Sequence, residues 1–530
     1  MLSLVFILLA VVLTNGLGVF WPAAVAKVTL ADGSSILGER VHSQVNPDTG
    51  QRSIQFKTGN REQDPQRQDF HWVKDNTIRD IAFPPDVWVL ERVENGNFYG
   101  YLQRVEGPDL AGRSDAAPAE QLAAARDAVR RKSAAEIAPL AAELLALGNQ
   151  LQEARDELLH LRYRQERLSA DAEAGQRVRQ ENLDRRIAEL QADSQRIKQQ
   201  SDRLVAEQRQ RLAALRRDVA VFRNAAGRDV PVALVDIVRL YRPNAMGLMA
   251  KCQHYLIKVG ELLWDNPRES NTEGGLFPAI FGTVMMIFLM AVTCFPLGVL
   301  AGIYLGEYAK EGLLVRVVRI AVNNLAGIPS IVYGIFGLGF FVYGVGGLLD
   351  QWLFPERVAA GTPTFGTGGI LWASLTLGLL TVPVVIVSTE EALRAIPRGI
   401  REGSLALGAT KFQTLVRVLV PMASPGMMTG FILAMARAAG EVAPLMITGV
   451  VKLAPQLPVD GSFPFAHLDR KFMHLGFHIY DVGFQSPNVE ASKPMVFVTT
   501  LLLLVIVLAM TSVAIYLRNR MRKRYQLRTI

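Results

Sequence analysis

Arg437 and Glu441 stand four residues apart within an otherwise apolar run of this 530-residue chain. On a helix, that spacing puts both on one face. An ionised side chain at mid-bilayer costs about 2.5–3.5 kcal/mol on insertion scales, so such groups turn toward a polar cavity or toward each other. A guanidinium presents a planar fork of donors that matches an oxyanion in a bidentate manner. The chemistry that suits this pair is reversible anion contact. Glu441 would hold Arg437 in place and weaken its grip, because conduction needs release as well as capture. A structural ion pair is the other reading. Asn323, Asn324 and Ser330 are weaker donors for an anion, and satisfaction of a helix end explains them equally well. His467, His474 and His478 form no ligand set and read as surface histidines.

A second constellation is defined by spacing. Glu402-Gly403-Ser404 is followed by Gly408, six residues after Glu402, and by Pro421, nineteen residues after it. A helix from about Pro397 to Leu407 ending in a glycine turn would offer the small residues Gly403, Ser404 and Ala406 to a close-packing partner. Glu402 supplies one anchored charge. An ordinary amphipathic loop is the alternative. No G-x-x-x-x-G-K-[ST] run occurs in the chain, so any ATP is bound by a partner subunit, and no cofactor of the chain's own is expected.

The elements that must carry these residues are membrane helices. A span needs roughly 20 apolar residues. Five runs qualify, approximately Pro278 to Leu305, Ala326 to Leu348, Gly369 to Ser388, Gly426 to Val450 and Val496 to Leu517. Leu2 to Phe20 would be a sixth. Ala24-Val25-Ala26 resembles a signal-peptidase site, but the run is longer than a usual signal core and lacks a basic start, which favours an uncleaved anchor. Pro296, Pro383 and Pro444 are expected to kink their helices. Arg518, Arg520, Arg522, Lys523, Arg524 and Arg528, and the loop bearing Arg394, Arg398, Arg401, Lys411 and Arg417, mark the cytoplasmic side. Counting back places residues 27–277 outside. The net charge of +8 therefore reflects topology and gives no sign of nucleic-acid binding. The two cysteines, Cys252 and Cys294, make a disulfide framework improbable.

The organisation follows as an anchor (1–26), a β-rich region (27–117), a helical segment (118–223), a return strand and linker (224–274), a membrane domain (275–520) and a basic tail (521–530). Lys27–Leu30, Ser35–Leu37 and Val87–Leu90, with turns at Asp32-Gly33 and Asn95-Gly96, predict a small sheet or barrel, and Val230–Tyr241 predicts another strand. Apolar residues at 137, 140, 144, 147, 151, 154, 158 and 161 describe a coiled-coil seam that resumes at Leu183, Ile187, Leu190, Ile197 and Leu204. An antiparallel hairpin turning near Gly175 would extend on the order of 70 Å. A single solvated helix or a segment pairing with another chain is the alternative.

The spacing of Glu402, Gly408 and Pro421 resembles the Glu-Ala-Ala loop of importer permeases, with Gly403-Ser404 replacing Ala-Ala and Val418 and Val420 replacing the family's Ile and Leu. Asn323–Val332, Thr389–Pro397 and Ala436–Leu445 together are similar to the phosphate importer permeases of the PstA type. That resemblance covers roughly residues 275–520. It implies a mainly α membrane protein of the type I importer kind, with six transmembrane helices and a large extracytoplasmic insert. It also implies that Arg437 contacts the anion and that the loop of Glu402 and Gly408 meets the motor. The expected partners are a second related permease, two ATPase subunits and an external phosphate-binding protein. A permease for another oxyanion or an organic solute, or a transport-inactive scaffold, remains as an alternative.

Overall fold

The computed structural model describes residues 2–45, 50–63, 69–108, 117–170, 177–268, 271–461, 463–486 and 489–526. After helix α1 (Leu2–Gly18), five strands form an antiparallel sheet in the order β4-β3-β2-β1-β5: β1 (Val25–Leu30), β2 (Ser35–Val45), β3 (Arg52–Lys57), β4 (Phe70–Lys74) and β5 (Ile78–Ala82). A second antiparallel sheet, β10-β6-β7-β8-β9, is built from β6 (Val87–Arg92), β7 (Asn97–Glu106), β8 (Val219–Arg223), β9 (Asp229–Ala233) and β10 (Ile237–Tyr241). Val25 and Leu37 of the first sheet and Val87, Val89 and Tyr99 of the second share one buried cluster. The segment read as a single strand, Val230–Tyr241, is two strands, because a 3-10 turn at Leu234–Asp236 interrupts it and carries the chain from one edge of the second sheet to the other.

Between β7 and β8 the chain leaves the sheet as an arm, α2 (Pro118–Ala170) and α3 (Arg177–Leu215), packed against each other. Leu140, Leu147 and Ala154 of α2 and Ile187 and Leu190 of α3 are buried along the seam. The turn near Gly175 lies outside the described residues. At the root, Leu122, Ala125, Val129 and Leu215 are sealed against Phe98, Phe222 and Leu234 of the second sheet.

The stretch read as a linker contains a further helix, α4 (Leu248–Trp264), whose charges lock the second sheet to the membrane domain. Glu91 of β6 meets Lys258 at 2.7 Å and Arg239 at 3.3 Å, and Arg239 also reaches Glu261 at 3.0 Å. Arg268, in the short β11 (Pro267–Arg268) paired with β12 (Glu273–Gly274), meets Glu261 at 2.5 Å. Burial pushes the Glu261 carboxyl up, but Lys258, Arg268 and Arg239 outweigh it and hold its pKa below the ordinary value. Removing one member of such a buried cluster costs about 3–5 kcal/mol, because a charge is left unpaired.

The membrane domain contains α5 (Phe277–Ile303), α6 (Leu313–Leu325), α7 (Ser330–Phe336), α8 (Gly347–Leu353), α9 (Pro355–Ala359), α10 (Ile370–Arg394), α11 (Arg398–Ala406), α12 (Lys411–Thr414), α13 (Val420–Gly440), α14 (Ala443–Thr448), α15 (Leu475–Tyr480) and α16 (Val489–Gln526). Among the described residues, five helices are long and apolar enough to cross a bilayer: Phe277–Tyr308, Ser330–Leu353, Ile370–Arg394, Lys411–Gly440 and Ser492–Lys523. The sixth expected span, α1, has 17 residues, the lower limit for crossing, and packs on α16 through Gly16 and Leu501. Pro296 and Pro383 sit inside α5 and α10 without ending them. The run expected to be one helix from Gly426 to Val450 is broken after Gly440, and Pro444 lies in the first turn of α14 instead of at a kink.

α10 is the central helix, with two-thirds of its apolar window buried. Its neighbours approach through glycines spaced four apart. On α5, a Cβ at Gly298 would lie 2.7 Å from Val385 Cβ, and one at Gly302 would lie 2.6 Å from Thr389 Cβ and 2.8 Å from the Ile386 carbonyl. On α13, Gly426 faces Ala392 and Gly430 faces Ser388 in the same way. Small residues let helices touch where lipid supplies no hydrophobic drive for their association. Gly302→Val should therefore destabilise the membrane domain by about 1–3 kcal/mol through overpacking, whereas Gly440→Ala, with open space around it, should be neutral. Thermal unfolding of the purified protein in detergent distinguishes the two, and equal melting temperatures would contradict this packing.

Candidate functional site

The glycine contacts set the depth of Arg437. With Gly426 against Ala392 and Gly430 against Ser388, the antiparallel register carries Arg437 to about the level of Thr381, next to the midpoint of α10. Arg437 occupies the last turn of α13, and Glu441 caps it in an extended conformation (φ −81°, ψ 133°). The two are not on one face of a continuous helix, as their spacing predicted. They flank a break. Arg437 Nε lies 3.6 Å from Glu441 Oε1, and the side chains are 31% and 21% exposed. Neither is therefore sealed in the protein interior. A cation in the last turn also complements the helix dipole. The break is braced by α7, where a Cβ at Gly334 would lie 2.7 Å from Pro444 Cα. Asn323 and Asn324 lie exposed in the last turn of α6, and Ser330 opens α7.

At the end of the bundle where α10 finishes, the second constellation forms a compact turn. Helix α11 stops at Ala406, one residue inside the expected limit, and Gly408 takes φ +85°. Its N–H donates to Leu405 O, and Ala409 N–H donates to Ser404 O, a pairing that satisfies the carbonyls of the last turn. Ser404 Oγ lies 2.9 Å from Thr414 Oγ1, tying α11 to α12. Thr410 and Gln413 cap α12 reciprocally. Glu402, Gly403 and Ala406 are exposed, next to Leu405, Leu407 and Phe412, which are 48%, 90% and 66% exposed. Pro421 follows a wide π turn at Leu415–Leu419, as a ring without an N–H requires when the helix continues past it.

Sequence reasoning missed what fastens this loop. Arg401 Nη2 donates to Glu307 Oε1 at 2.7 Å and to Leu393 O at 2.6 Å, and Nη1 donates to Ile396 O at 3.2 Å. Lys411 Nζ donates to Glu307 O and lies 4.7 Å from the Tyr308 ring. The loop is thereby clamped to the ends of α5 and α10. No signal in one sequence pairs residues 94 positions apart.

At the opposite end, His474 and His478 are 1% and 2% exposed, which corrects their reading as surface residues. His474 Nδ1 accepts the Gly476 N–H and caps α15, and His478 Nδ1 lies 3.2 Å from Thr499 Oγ1. Burial lowers their pKa values to about 3 and about 4, so both are neutral. His467 is half-buried and pairs with Asp460 at 3.0 Å.

Residues 298–523 match the family described as the inner membrane component of binding-protein-dependent transport systems. A probable phosphate transport system permease protein PstA of Methanocaldococcus jannaschii is 32% identical over 242 residues, 45% of this chain and 74% of that protein. The chain belongs to the PstA-type permeases of binding-protein-dependent importers. The permease is also similar to the probable ABC transporter permease YqgH of Bacillus subtilis, 35% identical over 197 residues, 37% of the permease and 59% of YqgH. It is 36% identical to PstA 1 of Mycobacterium tuberculosis over 174 residues, 33% of the permease and about half, 51%, of that protein. A solved methionine ABC transporter in inward-facing conformations aligns with 46% of the permease and 95% of its own chain, at 21% identity and a TM-score of 0.34. Both sheets and the arm precede the residues of the family match.

Gly408→Val should cost roughly 1–2 kcal/mol, the penalty for a side chain with left-handed backbone, and loosen the loop. Trypsin acting on the detergent-solubilised protein should cut faster at Lys411 in this variant, less so in Gly408→Asn, and no faster in Gly403→Val, which has open space around it and no positive φ. Equal cleavage in Gly408→Val and the unaltered permease would contradict the turn.

Proposed function

We propose that the permease translocates inorganic phosphate inward across the bacterial plasma membrane, driven by ATP hydrolysis on a separate subunit. The observation that carries this reading is a guanidinium and a carboxylate at mid-depth, 3.6 Å apart and part-exposed at a helix break, in a chain of a phosphate-permease family. Loose pairing leaves donors available to an oxyanion and keeps a negative charge nearby to speed its release. In this reading the basic tail and the loop of α11 and α12 face the cytoplasm, and residues 27–277 are extracytoplasmic. The exposed Glu402, Gly403, Ala406, Leu405, Leu407 and Phe412 then form the surface on which an ATPase subunit docks, with Gly408 and Pro421 holding its shape. Two such ATPases, a second related permease and an external phosphate-binding protein complete the importer. The chain binds no ATP or other cofactor itself, and its surroundings are the lipid bilayer.

Arg437→Gln keeps a polar side chain but removes the charge and the fork. Loss of a hydrogen bond to a charged group is worth about 1.5–3 kcal/mol, so phosphate uptake should fall roughly 10- to 150-fold, with the permease still in the membrane and still co-purifying with its ATPase. The double change Arg437→Gln, Glu441→Gln leaves no uncompensated charge and should stay inactive, because the anion contact is still missing. Near-normal uptake in the double variant would make Arg437 a structural residue and contradict this function for it.

A further inference from the structure

Far from its root on the second sheet, the arm touches the membrane domain. Asp156 Oδ2 of α2 accepts from Arg357 Nη2 of α9 at 2.5 Å, and His160 Nδ1 lies 3.7 Å from Glu356 Oε1. From Pro118 to Asp156, α2 advances about 57 Å at 1.5 Å per residue. The arm is therefore held at two points, by its root on the second sheet and by α9 of the membrane domain.

The two attachments differ in kind. The root is apolar and sealed, with Leu122 and Ala125 at 0% and 1% exposure, and its sheet is bound to α4 by the buried Glu91 and Glu261 and the half-buried Arg239 and Lys258. The distal contact is ionic and open to water. The side chains of Asp156, Arg357 and His160 are 34%, 24% and 56% exposed, and that of Glu356 is 12% exposed. Among the described residues, no buried apolar cluster joins the arm to the membrane domain there. Water-accessible pairs are weak and exchange readily. One end is built to stay and the other to let go.

The receiving side is rigid. The buried Asp350 accepts the N–H groups of Phe365 at 2.8 Å and Gly366 at 2.6 Å, and Trp372 Nε1 of α10 donates to Phe365 O at 2.7 Å. Arg357 Nη1 donates to Thr364 Oγ1 at 2.7 Å, so the guanidinium is held in place for Asp156. A load on α9 passes through this loop to α10, the helix against which α13 and Arg437 are packed.

We propose that the arm is a releasable strap. Clasped to α9, it holds the transporter at rest, and it unlatches when the external binding protein docks. The proposal rests on the importer reading above. The clasp joins Asp156 to Arg357, with His160 and Glu356 beside them, and the sealed root is the pivot.

The test uses the full importer in proteoliposomes, with Asp156→Cys and Arg357→Cys in a Cys252→Ser background, and a bis-methanethiosulfonate linker that a reducing agent cleaves. Linking should lower phosphate uptake and binding-protein-stimulated ATP hydrolysis about fivefold or more, the scale of a coupled conformational step, and reduction should restore both. Failure of the linker to join the two cysteines, or full linking with unchanged stimulated hydrolysis, would overturn the strap. If the unlinked protein hydrolyses ATP on stimulation but imports no phosphate, the substrate reading fails and the strap is still judged on hydrolysis. As a second variant, Asp156→Asn should raise hydrolysis without the binding protein roughly two- to fivefold, as expected from loss of one exposed ion pair. No rise would likewise count against the latch.

Discussion

The closeness with which α5 and α13 approach α10 determines nearly everything else in the membrane domain. Gly298, Gly302, Gly426 and Gly430 allow backbone-level contact on two sides of one helix. The contact sets α5 parallel and α13 antiparallel to α10, and the register of α13 places its last turn level with the middle of α10. It also brings the lower ends of α5 and α10 together, where Glu307 and the carbonyls of Leu393 and Ile396 receive Arg401. Larger residues on either glycine row would move the break in α13 and the clamp on the loop together.

Given that depth, the energetics of Arg437 point to water or solute. A charge in an apolar span turns toward water, a solute or an opposite charge, and the loose pairing with Glu441 leaves both side chains part-exposed.

Legibility in the sequence followed the range of the interaction. Gly408 and its spacing from Glu402 were readable because a helix stop is local chemistry, and the positive φ is its direct expression. Arg437 and Glu441 were readable as charges in an apolar run. The break between them was not, because Gly440-Glu441-Val442 has no proline and the stop depends on α7 packing against Pro444. The glycine pairs on α5 and α13 carried a usable four-residue signal that was not drawn on. Glu307 with Arg401, and Asp156 with Arg357, are pairings of the fold alone. His474 and His478 showed no periodicity that marks burial. The strand Val219–Arg223 was absorbed into the helical segment because the alanine- and leucine-rich pattern runs up to Leu215 before it.

The central claim is that the break beside Arg437 lines the path of the anion. Gly440 lies there, exposed and with no atom within 4 Å of the position of a Cβ, so Gly440→Cys adds a thiol without disturbing the packing. With Cys252 changed to Ser and the buried Cys294 left in place, a charged, water-soluble thiol reagent should modify Gly440→Cys in the assembled importer, and phosphate should slow that modification. A thiol that stays unmodified, or one modified at the same rate with and without phosphate, would contradict the account.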